Sequence, residues 1–152
     1  MKRWIQTVLA WAAAVLVTYS LATLAASHSV AGHLADLGVP LSLGERLQMS
    51  ARDQLGMTGM FLPLIAVGMT LALSVAAWLG RHRPQRRTVL FMLAGAVAML
   101  SIHLALQWSF DIALVAVARS HLGLLSQALA GAAGGYLFTR LKRVPVSHNQ
   151  LP

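Results

Sequence analysis

The chain has 152 residues, 57% of them hydrophobic and only 11% charged, with a net charge of +8 and no cysteine. A soluble domain carries roughly 25% charged residues, so this chain lacks the polar surface to face water on all sides, and lipid must cover much of it. Twelve Lys/Arg against four Asp/Glu would suit a nucleic-acid binder, but here the basic residues gather in loops and termini without interleaved aromatics. The missing cysteines remove disulfides, thiolate metal sites and thiol redox chemistry.

The first apolar stretch runs from about Trp4 to Ala26, behind Lys2 and Arg3. It exceeds the roughly 7–15 apolar residues of a secretory leader and is about the length that crosses a bilayer. Ala10, Ala14, Thr18, Ala22 and Ala26 recur every four residues, a stripe of small side chains on one side of a helix. Such a stripe lets helix backbones approach closely in lipid, so a retained, packed helix is expected.

Residues 27–57 make a connection too long for a plain turn between helices. Ser42 and Glu45 stand at capping-box spacing just after Pro40, and Leu43, Leu47, Ala51 and Leu55 follow on one face. Glu45, Arg46, Gln48, Arg52 and Asp53 supply the polar surround, and Gly56 marks an end. A short amphipathic helix is expected here, lying in the interface or capping the outer mouth of a bundle. The segment from Ser29 to Leu37 adds a turn or two before Gly38-Val39-Pro40.

The second stretch covers about 58–79, with Ala66, Thr70 and Ser74 as its small face and Trp78 as an interfacial aromatic. Pro63 costs little if it falls in the first turn of a helix starting near Met60. The third covers about 88–108, with Ala94, Ala98, Ser101 and Ala105 on one side. The fourth covers about 120–139, with a face of Gly123, Gln127, Gly131 and Gly135, the last two forming a GxxxG pair. Phe110 to Ala118 would extend this helix outward, and Arg119 reads as an interfacial anchor that snorkels.

Charge sets the orientation. The N-terminus, the Arg81–Arg87 loop and the tail from Arg140 hold nine of the twelve Lys/Arg and no acid. Asp36, Glu45, Asp53 and Asp111 all fall in the alternate segments. By the positive-inside rule both termini face the cytoplasm and the 27–57 loop faces outward. The expectation is a single-domain, all-α integral membrane protein. It is an antiparallel four-helix transmembrane bundle with a short amphipathic helix in its first extracytoplasmic loop. The alanine-rich composition points to a bacterial inner membrane, with anionic lipid headgroups attracted to the basic face.

The candidates for chemistry are histidines. Of six, His28, His33, His103 and His121 fall on the outward side, and only His82 and His148 on the other. Helical rise puts His103 and His121 at similar depth, so His103, Gln107, His121 and Asp111 form a candidate ligand-binding set under the outer mouth. Imidazoles can carry protons, or ligate haem or a metal, but the spacings match no metal motif and histidines on sequential helices grip a haem poorly. No metal or other cofactor is expected, with haem the one alternative. No Gly-x-Ser-x-Gly elbow, phosphate loop or carboxylate pair is present, and no acid lies in mid-span. A non-enzymatic accessory or oligomerising subunit is therefore expected, partnered by a second copy or another membrane protein. The alternatives are a transport, quinone or proton site lined by the histidine set, and a haem-binding redox component.

Overall fold

The computed structural model describes residues 2–82, 84–110 and 121–142. All regular structure among them is helical: α1 (Lys2–Asp36), α2 (Leu43–Gly56), α3 (Phe61–His82), α4 (Arg87–Phe110) and α5 (His121–Leu141), with a 3-10 turn, Pro84–Arg86, between α3 and α4. Three stretches, Trp4–Asp36, Phe61–His82 and Pro84–Trp108, are long and apolar enough to cross a membrane. α5 is not among them, because four glycines, Ser126 and Gln127 dilute its apolar residues. Phe110 closes α4, while Asp111, the run to Ala118, Arg119 and His148 lie outside the described residues.

α1 does not stop at Ala26. Its 35 residues run on to Asp36, about 52 Å at the usual rise. Within the helix the Thr23 hydroxyl donates back to the Tyr19 carbonyl at 2.9 Å. The helix ends where Gly38 takes φ +82°, with Gly38 N–H on the Ala35 carbonyl and Val39 N–H on that of Leu34. That is a Schellman stop, which needs a residue at ease in the left-handed region. At the other junction Pro63 falls in the first turn of α3, where a missing N–H breaks no helical bond.

Neighbouring helices run antiparallel. Trp11 donates to Thr70 at 3.0 Å and Tyr19 meets Phe61, which aligns α1 against α3. Gln127 reaches the Ala22 carbonyl at 3.0 Å, aligning α5 against α1. α4 and α5 approach most closely of all: a Cβ added at Gly95 would stand 2.0 Å from the Gly131 carbonyl oxygen. Ala10, Ala14, Thr18, Ala22, Ala26, Gly123, Gln127, Gly131 and Gly135 are all buried in these contacts.

The other two small-residue faces do something else. Thr70 and Ser74 of α3 are exposed, their hydroxyls returned to the carbonyls of Ala66 and Thr70 at 2.6 and 2.7 Å. Ser101 and Ala105 of α4 are exposed, and with Ala94 and Ala98 they line a furrow on the outside of the α3–α4 pair. The face that α3 buries is instead Phe61, Ile65, Met69, Leu73, Ala76 and Gly80.

α2 carries the capping box read from its sequence: Glu45 N–H donates to Ser42 Oγ at 3.4 Å, and Ser42 N–H to Glu45 Oε2 at 2.8 Å. Its leucine face does not close over the helices beneath. Leu43, Leu47 and Leu55 are 81%, 70% and 80% exposed. The side turned to α1 is polar, through Asp53 and Gln54. The two hydrogen bonds from Ser42, side chain before backbone, hold the Glu45 carboxyl below its ordinary range. The cap's contribution is therefore present above the ordinary glutamate pKa and lost as pH falls through the lowered value. Acidification is expected to fray the first turn of α2, seen in amide chemical shifts of residues 43–46, and Ser42→Ala should weaken that pH dependence, leaving the part carried by the backbone N–H.

Candidate functional site

His103 is the one histidine among the described residues that is buried, at 3% exposure. The helical register of α4 turns it inward, and Nδ1 lies 2.8 Å from the Met99 carbonyl one turn back. Only an N–H can donate to that oxygen, so a neutral ring carries its proton on Nδ1 and leaves Nε2 as a bare acceptor. Nε2 is enclosed and has no partner among the described residues. Two further buried polar atoms share this condition, Gln127 Oε1 and Thr18 Oγ1. An unpaired buried acceptor costs about 1–3 kcal/mol, which makes these three the unusual features of an otherwise apolar interior.

An aromatic chain leads from His103 to α2. Phe61 meets the imidazole edge-on, with centroids 5.8 Å apart and planes at 86°. Tyr19 leans on Phe61 at 6.4 Å and 55°. The Tyr19 hydroxyl donates to the Gln54 carbonyl and lies 3.0 Å from Thr58 Oγ1. Beside it Gln54 Nε2 donates to the Ser20 carbonyl at 3.2 Å, and Ser27 Oγ donates to Asp53 Oδ2 at 2.6 Å. The last is short, as hydrogen bonds to a carboxylate are. α2 is thus latched to the C-terminal half of α1 by polar bonds, next to the aromatic pair that leads to His103.

Of the four residues expected to line one site, three are described, and they differ in exposure. His103 is enclosed, whereas Gln107 and His121 are exposed, and no hydrogen bond joins any two of them. Asp111 lies outside the described residues. Gln107 is four residues from His103, yet the drift of the helix carries it out of the interior. His28 and His33 are also exposed, and His82 stacks edge-on against Trp78 at 6.0 Å. Among the described residues no group of three or more His, Cys, Asp or Glu stands close enough to hold a metal ion.

Sequence reasoning passed over Tyr19 and Phe61. The signal was a tyrosine inside an alanine-rich span, where its hydroxyl must find a partner. Thr18 and Gln127 were read only for their size and position on the packing stripes. Chemically, the arrangement offers one hydrogen-bond or proton acceptor, Nε2, in an apolar cage, with no acid against it among the described residues. Comparison with family models, with curated proteins and with solved structures gives no match for this chain.

Proposed function

We propose that this protein is a small, non-enzymatic, multi-pass membrane subunit that works by association, with α2 as its contact surface. In this reading α1, α3, α4 and α5 form an antiparallel four-helix transmembrane bundle in a cell inner membrane. Both termini are cytoplasmic, and α2 is held on the outer side. The observation that carries the reading is the state of α2. It is fixed to α1 by the Ser27–Asp53 and Ser20–Gln54 bonds, yet presents Leu43, Leu47 and Leu55 outward. An amphipathic helix held in place with its apolar face free is suited to meet another membrane-embedded surface. The small-residue stripes of α1 and α5 are occupied within the chain, so in this reading assembly falls to the leucine face of α2.

The test is crosslinking and size analysis of the full chain purified in mild detergent. The expected result is an oligomer or a co-purifying membrane partner, lost when Leu43, Leu47 and Leu55 are all replaced by Gln. A strictly monomeric species with no partner would overturn the reading.

A second reading is favoured by one observation, the unpartnered Nε2 of His103. Here the protein handles a proton, a quinone or another small ligand at that atom, and His103→Ala abolishes binding or transport while the fold persists. His121, exposed, serves as the matched control for a histidine outside the cage.

A further inference from the structure

The furrow between α3 and α4 has a volume of about 930 Å³. Val67 and Leu71 form one wall and Leu93 and Val97 the other, each more than half exposed. Small residues hollow it out: Gly68 and Ala98 lie along its floor, and Ser101 is the one polar side chain in its lining. It extends from Pro63 and Leu106 at one end to Leu79 and Leu90 at the other. The sixteen residue-to-residue rises from Pro63 to Leu79 cover about 24 Å, more than the ~15 Å depth of one hydrocarbon leaflet.

The Leu79–Leu90 end runs into the turn that joins the two helices, and that turn is cationic. Arg81 and Arg86 are exposed there, Arg86 four residues before Leu90. Arg87 turns inward over the Phe91 ring at 5.6 Å, and Lys142 lies over Phe138 at 5.3 Å. Burial, and after it the nearby Arg87, hold the Lys142 ammonium below the usual lysine range. Like charges are therefore crowded at this end. Asp36, Glu45 and Asp53 all sit at the opposite end, on or beside α2, and Asp111 follows the far end of α4 in sequence.

We propose that the furrow is a binding site for an anionic phospholipid, its acyl chain laid along α3 and α4 and its phosphate held by Arg81 and Arg86. An apolar groove this long between two membrane-crossing helices must be filled with hydrocarbon, and the unneutralised arginines at its mouth select an anion. A second copy packed parallel in the furrow would set its own arginine turn at the same level, like charge against like. A phospholipid satisfies both ends at once. Basic sites at the ends of transmembrane helices take anionic headgroups on the same principle.

The full chain in a non-ionic detergent, given equal amounts of phosphatidylglycerol and phosphatidylcholine with identical acyl chains, tests this by native mass spectrometry. Phosphatidylglycerol should be retained in roughly tenfold excess or more, the expected worth of two arginines near an anionic group. Arg81→Gln with Arg86→Gln should bring the two lipids to parity. Leu71→Trp and Val97→Trp close the furrow from exposed wall positions and should each displace bound lipid of either kind. Equal retention by the unaltered protein, or a preference that survives the double arginine variant, overturns the proposal. So does full retention in both tryptophan variants. Soluble glycerophosphate should not compete; if it strips the lipid preference, the arginines bind free phosphate and the acyl furrow plays no part.

Discussion

Gly131→Ala is expected to destabilise the protein by about 3 kcal/mol, the upper part of the range for overpacking a core. The new Cβ would stand 2.1 Å from the Gly95 carbonyl oxygen, 2.6 Å from its carbon and 2.7 Å from Met99 Cγ. Two of those three atoms are backbone, so the clash cannot be relieved by turning a side chain. α4 and α5 have to move apart, and the contacts that follow the same seam go with them. Gly135 is held in the same way, its Cβ position 2.0 Å from the Phe91 carbonyl oxygen, next to the stacked Phe91–Phe138 pair at 5.3 Å. Gly32 is the internal control. It lies within α1 with nothing within 4 Å of its Cβ position. Gly32→Ala should stabilise by up to about 1 kcal/mol through helix propensity alone. Thermal unfolding in detergent reads both, and opposite signs for the two substitutions are the expected outcome. A neutral Gly131→Ala would mean that the α4–α5 seam is not where the fold is held.

The seam explains how far the sequence could be read. The spacing of Gly131 and Gly135, and of Ala10, Ala14, Thr18 and Ala22, marks surfaces where backbones approach, because a small residue every four positions has one geometric consequence in a helix. The spacing does not say what approaches. Ala94, Ala98, Ser101 and Ala105 present the same periodicity, yet they help to hollow the furrow. The larger side chains flanking them, Leu93 and Val97, point out beside them, and Ser101 and Ala105 are left exposed. Periodicity finds a face, and only the neighbouring helix decides whether the face is a seam or a groove. The capping box of α2 was legible for the opposite reason, since Ser42 and Glu45 satisfy each other within four residues. The direction in which α2 turns its leucines was not legible. It depends on Ser20, Tyr19 and Ser27, some thirty residues away, offering hydrogen bonds to the polar side. His103 was legible as a candidate from its type and depth, but that it alone is enclosed while Gln107 and His121 are exposed depends on which faces of α4 and α5 are covered.

His103→Leu is expected to stabilise the fold by about 1–2 kcal/mol, the cost of an enclosed acceptor without a partner. The corresponding rise in Tm is several degrees, at roughly 2–4 °C per kcal/mol for a chain of this size. The substitution keeps approximately the side-chain volume, so it opens no large cavity beside Phe61. The bond it removes runs to the Met99 carbonyl within the same helix, an oxygen placed to accept the helical N–H four residues on. Gln127→Leu follows the same logic: its Nε2 bonds to the Ala22 carbonyl while Oε1 is left bare, so its loss should also be neutral or stabilising. Both functional readings expect the same gain in stability, and what His103→Leu does to binding or transport separates them. A protein that only packs and associates gains stability from leucine and still assembles through α2. One that uses Nε2 gains the same stability and loses binding or transport, since the strained acceptor was the working part. A fall in stability instead would show that Nε2 is paired within the protein itself, by a group whose loss costs more than the burial of the ring. In that case His103 belongs to the structure of the cage and carries neither reading.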